Sequence, residues 1–274
     1  MKKVKMALIY DFDKTLSPKD MQEFHLLKRL GYLEPSDFWA KCQELSNKCN
    51  MDGILAYMYL AAIENPDMTR ESLIEEGSYI KLFKGVDTWF DRINAYGLEH
   101  NIEIEHYIIS SGLKDMILGT PIADKFKNIY ACSYYYGEDG KAKWPSRVIN
   151  YTTKTQYLFR INKGVLDETN DFDLNKSTPD EEKYIPLNRM IYFGDGLTDV
   201  PSMKVVGDNG GNTIAVFRDS NRDKGPRELA RNLYHDKRAT FMAKADYSEG
   251  SRIDKIVKGI IDKTEADLKL DDYR

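Results

Sequence analysis

The sequence predicts an α/β protein, a doubly wound parallel sheet carrying an inserted α-helical cap. Three observations predict it. Short apolar runs recur along the chain, and most end at a polar or glycine-bearing cluster; helix-period segments separate or follow those runs. The gap between the first and second runs holds roughly 90 residues, far more than a strand-to-helix connection needs. Alternating strand and helix is the pattern of a parallel sheet with helices on both faces.

Residues 4–10, Val-Lys-Met-Ala-Leu-Ile-Tyr, read as a buried strand that stops at Asp11. The long gap follows. Helix-period segments at 21–30 and 36–46, and the nearly all-apolar 54–63 closed by Asn65-Pro66, form a helical cap over 18–84. The core domain is then 1–17 together with 85–274. A helical pattern at about 86–99 leads into a second strand, 102–109, ending at Ser110-Ser111-Gly112, and another helix is expected at 153–162. A second insertion, 165–187, sets seven acidic residues against Lys176 and Lys183, with Pro179 and Pro186 breaking any regular element. It reads as a solvated loop. Its Asp171, Asp173, Asn175 and Glu182 also stand at calcium-loop positions 1, 3, 5 and 12, with Lys176 where such a loop needs Gly, so a cation site is the alternative. A third strand, 190–193, ends at Gly194-Asp195-Gly196, and a fourth spans 212–217. Helical patterns at about 198–206, 226–234 and 250–268 complete the chain, 218–231 being a charged, helix-bearing loop.

Composition narrows the function. The 274 residues suggest one large domain or one with a smaller partner, and 42% hydrophobic content supports a real core. Lys plus Arg number 40 against 44 Asp plus Glu, a net charge of −4 with no extended basic block, which argues against a nucleic-acid partner. Cys42, Cys49 and Cys132 form neither a disulfide framework nor a zinc pattern, which suits a reducing cytoplasm. The run 6–10 after Lys2-Lys3 is too short for a secretion signal, and no stretch approaches the ~20 apolar residues of a membrane span. The expectation is a soluble cytoplasmic protein.

The chemistry concentrates at strand exits. In extended backbone residues i and i+2 point the same way, so Asp11 and Asp13 of Asp-Phe-Asp-Lys-Thr-Leu-Ser present two carboxylates side by side. Such a pair repels unless a divalent metal or a shared proton intervenes; a surface loop with capping carboxylates is the plainer alternative. Asp195 and Asp199 of Gly-Asp-Gly-Leu-Thr-Asp, at another strand exit, are placed to complete a metal site, the glycines allowing a tight turn. Ser110 and Ser111 stand before Gly112 and a helical segment, where they either grip an anion or simply cap the helix. His25, His100, His106 and His235 show no metal-site pairing.

In combination these segments resemble the haloacid dehalogenase superfamily, specifically phosphatases with a helical cap between the first two motifs, similar to phosphoserine phosphatases. Asp11-Phe12-Asp13-Lys14-Thr15, a Ser after the second strand, a Lys opening a helix, and Gly194-Asp195-Gly196-Leu197-Thr198-Asp199 occur in family order over 4–200. The resemblance implies Asp11 as nucleophile, Asp13 as general acid and base, Ser110 (with Ser111) and Lys154 as phosphate ligands, and Thr15 orienting the loop. It implies Mg²⁺ held by Asp11, the Asp13 backbone carbonyl and Asp195, with help from Asp199. Lys154, within Thr-Thr-Lys-Thr-Gln, matches the family lysine best; Lys163 and Lys143 compete for the role. Mg²⁺ and Lys154 then balance Asp11, Asp195 and Asp199, leaving Asp13 free to carry a proton.

Within the superfamily, Asp13 favours a phosphatase over a dehalogenase, which needs no acid there, and over the ATPases, which carry Thr in its place. A phosphotransferase or mutase on the same residues is the alternative enzyme; a receiver-like signalling module or a non-catalytic phosphate-binding scaffold is the alternative from another class. A cap of this size favours a small phosphorylated metabolite. Phosphoserine itself is disfavoured. Asp20 stands where those enzymes carry Glu, Thr198 where they carry Asn, and no Arg occurs between residues 31 and 69. Phe38, Trp39, Tyr57 and Tyr59 form either an aromatic wall for a larger or cationic leaving group or the packing core of the cap.

Overall fold

The computed structural model describes residues 4–220 and 223–271, so Lys2, Lys3 and part of the 218–231 segment lie outside the described residues. Among the described residues the strands are β1 (Val4–Tyr10), β2 (Ile102–Leu113), β3 (Asn128–Tyr136), β4 (Ala142–Arg147), β5 (Met190–Gly194), β6 (Asn212–Phe217) and β7 (Phe241–Lys244). They form one sheet in the order β4-β3-β2-β1-β5-β6-β7, with helices on both sides. β1 lies in the middle, parallel to β2 and to β5, and residues 6–10 are at most 1% exposed. A strand buried on both faces must be apolar throughout, which is why this run lacks alternation. The chain builds β2 and β3 on one side of β1, then crosses to build β5, β6 and β7 on the other. Strand order therefore reverses at β1, and the crevice outside its C-terminal end is where an open α/β sheet binds ligands.

Three strands were not expected. β3 and β4 pair antiparallel, so the sheet is parallel except at that edge. Pro145 in β4 is tolerated because an edge strand leaves one row of backbone groups unpaired, and the four-residue β7 is too short to register as a periodic run. Helices α5 (Val86–Glu99), α9 (Val200–Asp208), α10 (Gly225–His235) and α11 (Arg252–Asp271) fall within a few residues of their expected positions.

The insertion leaves the sheet after Ser17 and returns at Phe83, whose N–H donates to the Leu16 carbonyl at 2.9 Å. A continuous helix over 21–30 does not form. A 3₁₀ turn at Met21–Glu23 and the short α1 (Leu26–Arg29) replace it, because the His25 backbone, at φ −144°, breaks the run. α2 (Pro35–Cys49) packs on α3 (Gly53–Glu64), which Asp52 caps at the Ile54 and Leu55 N–H groups. α4 (Arg70–Gly77) packs on α6 (Lys114–Leu118), with backbones nearly touching: a Cβ on Gly119 would lie 1.8 Å from the Ile74 carbonyl oxygen.

The acidic segment 165–187 wraps a buried cation. Arg160, at the C-terminal end of α7 (Tyr151–Lys163), is 2% exposed and donates to the carbonyls of Asp167, Glu168 and Asn170 and to Asp171 Oδ1 at 2.5 Å. Glu168 pairs with Lys114 and Arg147. The calcium-loop alternative is overturned, since Asp171–Asn175 forms a helical turn, α8, and Glu182 sits in a separate 3₁₀ turn, Asp180–Glu182. Glu168, Asp171 and Asp180 are each met by a protein cation instead.

Beneath the sheet a hydrogen-bond chain runs from Trp89 Nε1–H to Tyr10 Oη, from the Tyr10 hydroxyl to His106 Nδ1, and from His106 Nε2–H to Asn94 Oδ1. Each donor meets an acceptor only when His106 is neutral, and burial pushes its pKa down to about 3. Neutral His106 stabilises the fold fully above the unfolded value of 6.5, and that stability is lost as pH falls toward 3, about 1.4 kcal/mol per unit. Between pH 7 and pH 5 the wild type should thus lose about 2 kcal/mol more than His106→Gln in urea denaturation. Equal losses would place the acid sensitivity elsewhere.

Candidate active site

β1 delivers Asp11 to the crevice, and the Asp11 N–H extends the ladder by donating to the Phe193 carbonyl of β5 at 2.9 Å. The chain then turns tightly: Leu16 N–H returns to the Phe12 carbonyl at 2.8 Å, and Lys14 takes a left-handed φ of 59°. Asp13 Oδ1 accepts the Met21 N–H at 2.8 Å, which joins this carboxylate to the start of the insertion. Thr15 is buried, but its hydroxyl has no hydrogen-bond partner; the loop is held through the Thr15 carbonyl, which accepts the Tyr247 hydroxyl at 2.9 Å.

Lys154 reaches the same point from α7. Thr153 Oγ1 accepts the Asn150 N–H at 2.6 Å at the start of that helix, and Lys154 lies wholly buried with Nζ 3.1 Å from Asp11 Oδ1 and 2.7 Å from Asp199 Oδ1. The competing lysines point away. Lys163 caps the acidic segment through the Leu174 and Lys176 carbonyls, and Lys143 pairs with Asp139. Asp199 Oδ1 also accepts the Tyr192 hydroxyl at 2.8 Å, and its Oδ2 accepts the Gly196 N–H at 3.3 Å. Gly194 serves by its missing side chain: a Cβ there would lie 2.4 Å from Asp199 Cγ.

The two serines differ from expectation in setting. β2 runs on to Leu113 with its pairing to β3 shifted between Ile109 and Leu113, so Ser110 and Ser111 lie in an irregular strand end rather than at a helix N-terminus. Ser110 Oγ accepts the Gly112 N–H at 3.0 Å, whereas Ser111 Oγ is buried without a partner. The Ser111 carbonyl accepts the Tyr57 hydroxyl of α3 at 2.7 Å. Further bonds from Tyr134 to the Met58 carbonyl and from Asn150 to Asp52 fasten α3 over the crevice.

Some of these groups line a cavity of about 520 Å³, though Lys154 and Asp199 are not among its lining residues. Asp11, Asp13, Ser110, Ser111 and Asp195 line its floor, and Gln22, Trp39 and Tyr57 its wall. Of the four aromatics considered in the sequence, Trp39 and Tyr57 reach the cavity; Phe38 is buried edge-on against Tyr32 and Trp39, and Tyr59 is exposed. Gln22, Tyr192 and Tyr247 escaped sequence reading. A hydroxyl-bearing ring two residues before Gly194 in an apolar run was a usable sign for Tyr192, while Gln22 and Tyr247 carry no local signal.

Carboxylates crowd this point. Burial, partly offset by Lys154, pushes Asp11 up to about 6. Burial, then Asp20 and Asp11, holds Asp13 well above the usual carboxylate range, and burial, then Asp11 and Asp199, does the same for Asp195. For Lys154 burial works toward the neutral amine, but Asp11 and Asp199 outweigh it and keep the ammonium. Carboxylate oxygens of Asp11, Asp195 and Asp199 lie within 4.8 Å of one another. Hard oxygen donors under mutual repulsion are a fit for a divalent cation such as Mg²⁺. The Asp13 carboxylate is outside that group.

A doubly wound sheet whose central strand ends in a carboxylate pair beneath inserted helices is the haloacid dehalogenase-like fold, and this chain has it. Phosphoserine phosphatases share this fold of sheet and inserted helices. The chain matches a phosphoserine phosphatase solved as a phospho-aspartyl intermediate analogue with a TM-score of 0.55 at 15% identity, covering 93% of this chain and 99% of that one. A HAD-family hydrolase of Salmonella enterica serovar Typhi matches at 0.53 with 16% identity over 77% of this chain, which spans 62% of that longer protein. An uncharacterized protein of Borreliella burgdorferi is 27% identical over 281 residues, 90% of this chain and 93% of the relative. No protein-family model matches the chain. Among the described residues no helix is long and apolar enough to cross a membrane.

Proposed function

We propose that this chain is a Mg²⁺-dependent phosphomonoester hydrolase acting on a small phosphorylated metabolite through a phosphorylated Asp11, with residues 18–84 as its cap and a reducing cytoplasm as its compartment. The observation that carries the reading is the buried Lys154 ammonium between Asp11 and Asp199, with Asp11 and Asp13 lining the cavity. Asp11, the Asp13 carbonyl and Asp195 would hold the cation, with Asp199 in support. Mg²⁺ would supply positive charge against the phosphate dianion.

A phosphate monoester repels a carboxylate, so Lys154 has the task of holding charge beside Asp11, and Ser110 and Ser111 that of orienting the phosphoryl oxygens. Asp11 attacks phosphorus and the ester P–O bond breaks; Asp13, whose pKa is raised by desolvation and by Asp20 and Asp11, gives its proton to the departing oxygen. Asp13, now a carboxylate, takes a proton from water, which attacks the phosphorus of the acyl phosphate; phosphate leaves and Asp11 is restored. Both half-reactions use one acid–base group.

Release of inorganic phosphate from a panel of monoesters tests this. Mg²⁺-supported turnover that falls to background on chelation is expected. Turnover indifferent to the metal, or none with any ester, would sink the proposal.

A further inference from the structure

We infer that Tyr192 is a positioning residue for phosphoryl transfer, acting through Asp199 on the Lys154 ammonium, an inference resting on the phosphomonoesterase reading above. Tyr192 lies wholly buried in the middle of β5, whose other residues are Met190, Ile191, Phe193 and Gly194. A phenylalanine would fill the same space, and a hydroxyl taken out of water is costly unless it is bonded. This hydroxyl makes one hydrogen bond among the described residues, to Asp199 Oδ1 at 2.8 Å.

Asp199 and Lys154 are wholly buried as well, and neither lines the cavity. Among the described residues Asp199 Oδ1 meets Lys154 Nζ and the Tyr192 hydroxyl, and Oδ2 meets the Gly196 N–H at 3.3 Å. Asp199 thereby anchors the ammonium, which stands 2.7 Å from it and 3.1 Å from Asp11. Lys154 arrives from α7 on a long flexible stem, whereas Tyr192 is fixed in the sheet between Ile9 of β1 and Thr213 of β6. A carboxylate tied only to the flexible chain can turn with it; tied to the sheet as well, it sets where the ammonium stands. The two donors also share one oxygen, and the phenol draws off charge that would otherwise hold the ammonium more tightly. Tyr192 thus leaves Lys154 available to Asp11 and to the charge on the transferring phosphoryl group.

The test is a double-mutant cycle in kcat/KM, with Mg²⁺, for 4-nitrophenyl phosphate and for the fastest ester of the panel above, on wild type, Tyr192→Phe, Lys154→Met and the double variant. Tyr192→Phe removes a single oxygen, and kcat/KM should fall about tenfold or more, the effect of losing a buried hydrogen bond to a charged group. In the Lys154→Met background the same substitution should cost less than about twofold, because a residue that acts through Lys154 has nothing left to position. A tyrosine that only supports the fold would cost the same factor in both backgrounds. If Lys154→Met does not fold, Lys154→Gln, whose amide still donates hydrogen bonds, takes its place in the cycle. Equal losses in both backgrounds, or Tyr192→Phe within about twofold of wild type, overturn the inference while hydrolysis itself stands. No hydrolysis of any ester by the wild type overturns both readings.

Discussion

Asp11→Asn is expected to lower kcat by about 10⁴-fold or more, a loss of about 5 kcal/mol of transition-state stabilisation. The amide has the shape of the carboxylate but cannot attack phosphorus, so the covalent route closes while Lys154, Asp199 and the serines stay in place. Stability should move the other way. Asp11 is one of three carboxylates whose oxygens lie within 4.8 Å, and its pKa is pushed up to about 6, which means that at pH 7 ionised Asp11 destabilises the metal-free fold. Neutral Asn removes that repulsion, and Lys154 keeps its 2.7 Å partner in Asp199. The metal-free variant should therefore melt at a higher Tm than the metal-free wild type, the trade expected where a site holds strain for the sake of chemistry. Steady-state turnover and thermal unfolding of one preparation check both halves. Activity retained within tenfold would remove Asp11 from the role of nucleophile.

Lys154→Met should be costly in both respects. The ammonium is wholly buried and bonded to two carboxylates, so a thioether of similar volume leaves Asp11 and Asp199 without their counter-charge. Breaking a buried ion pair from one side typically costs about 3–5 kcal/mol, because the remaining charge is stranded in low dielectric. Tyr192 and the Gly196 N–H still bond Asp199, which limits the damage on that side. Activity should fall about 10²–10³-fold, the usual effect of deleting one preorganised charge stabiliser. Saturating Mg²⁺ should recover part of the stability, since a cation that binds only the folded protein favours it by mass action. The coupling to Asp11 gives a sharper check: in an Asp11→Asn background Lys154→Met should cost less in urea denaturation than in wild type, because one stranded carboxylate is already gone. Additive costs would show that Lys154 acts independently of Asp11.

Much of this arrangement was legible before folding because the relevant signals are local. A strand buried on both faces must be apolar throughout, so β1 and β5 stand out, and the polar residues that stop them fall at the sheet's C-terminal edge. The motif carboxylates lie in or just after those strands, so their convergence follows from the parallel topology. Less was legible where packing overrides pattern. β4 contains a proline that only an edge position tolerates, and the 21–30 segment has helical spacing but breaks at His25. The acidic segment 165–187 has a composition open to a cation or to solvent, and the buried Arg160 that organises it lies outside the segment.

By itself the sequence determined the class of fold and the carboxylates and serines that meet in the crevice, because strand exits carry their chemistry within a few residues of one another. Only the tertiary structure decided which of three lysines is buried between Asp11 and Asp199, that Tyr192 and Tyr247 brace the site, and that Gln22, Trp39 and Tyr57 line the cavity beside it. Those residues come from separate elements, and their meeting depends on how inserted helices seat on a sheet, a question of packing that no local pattern encodes.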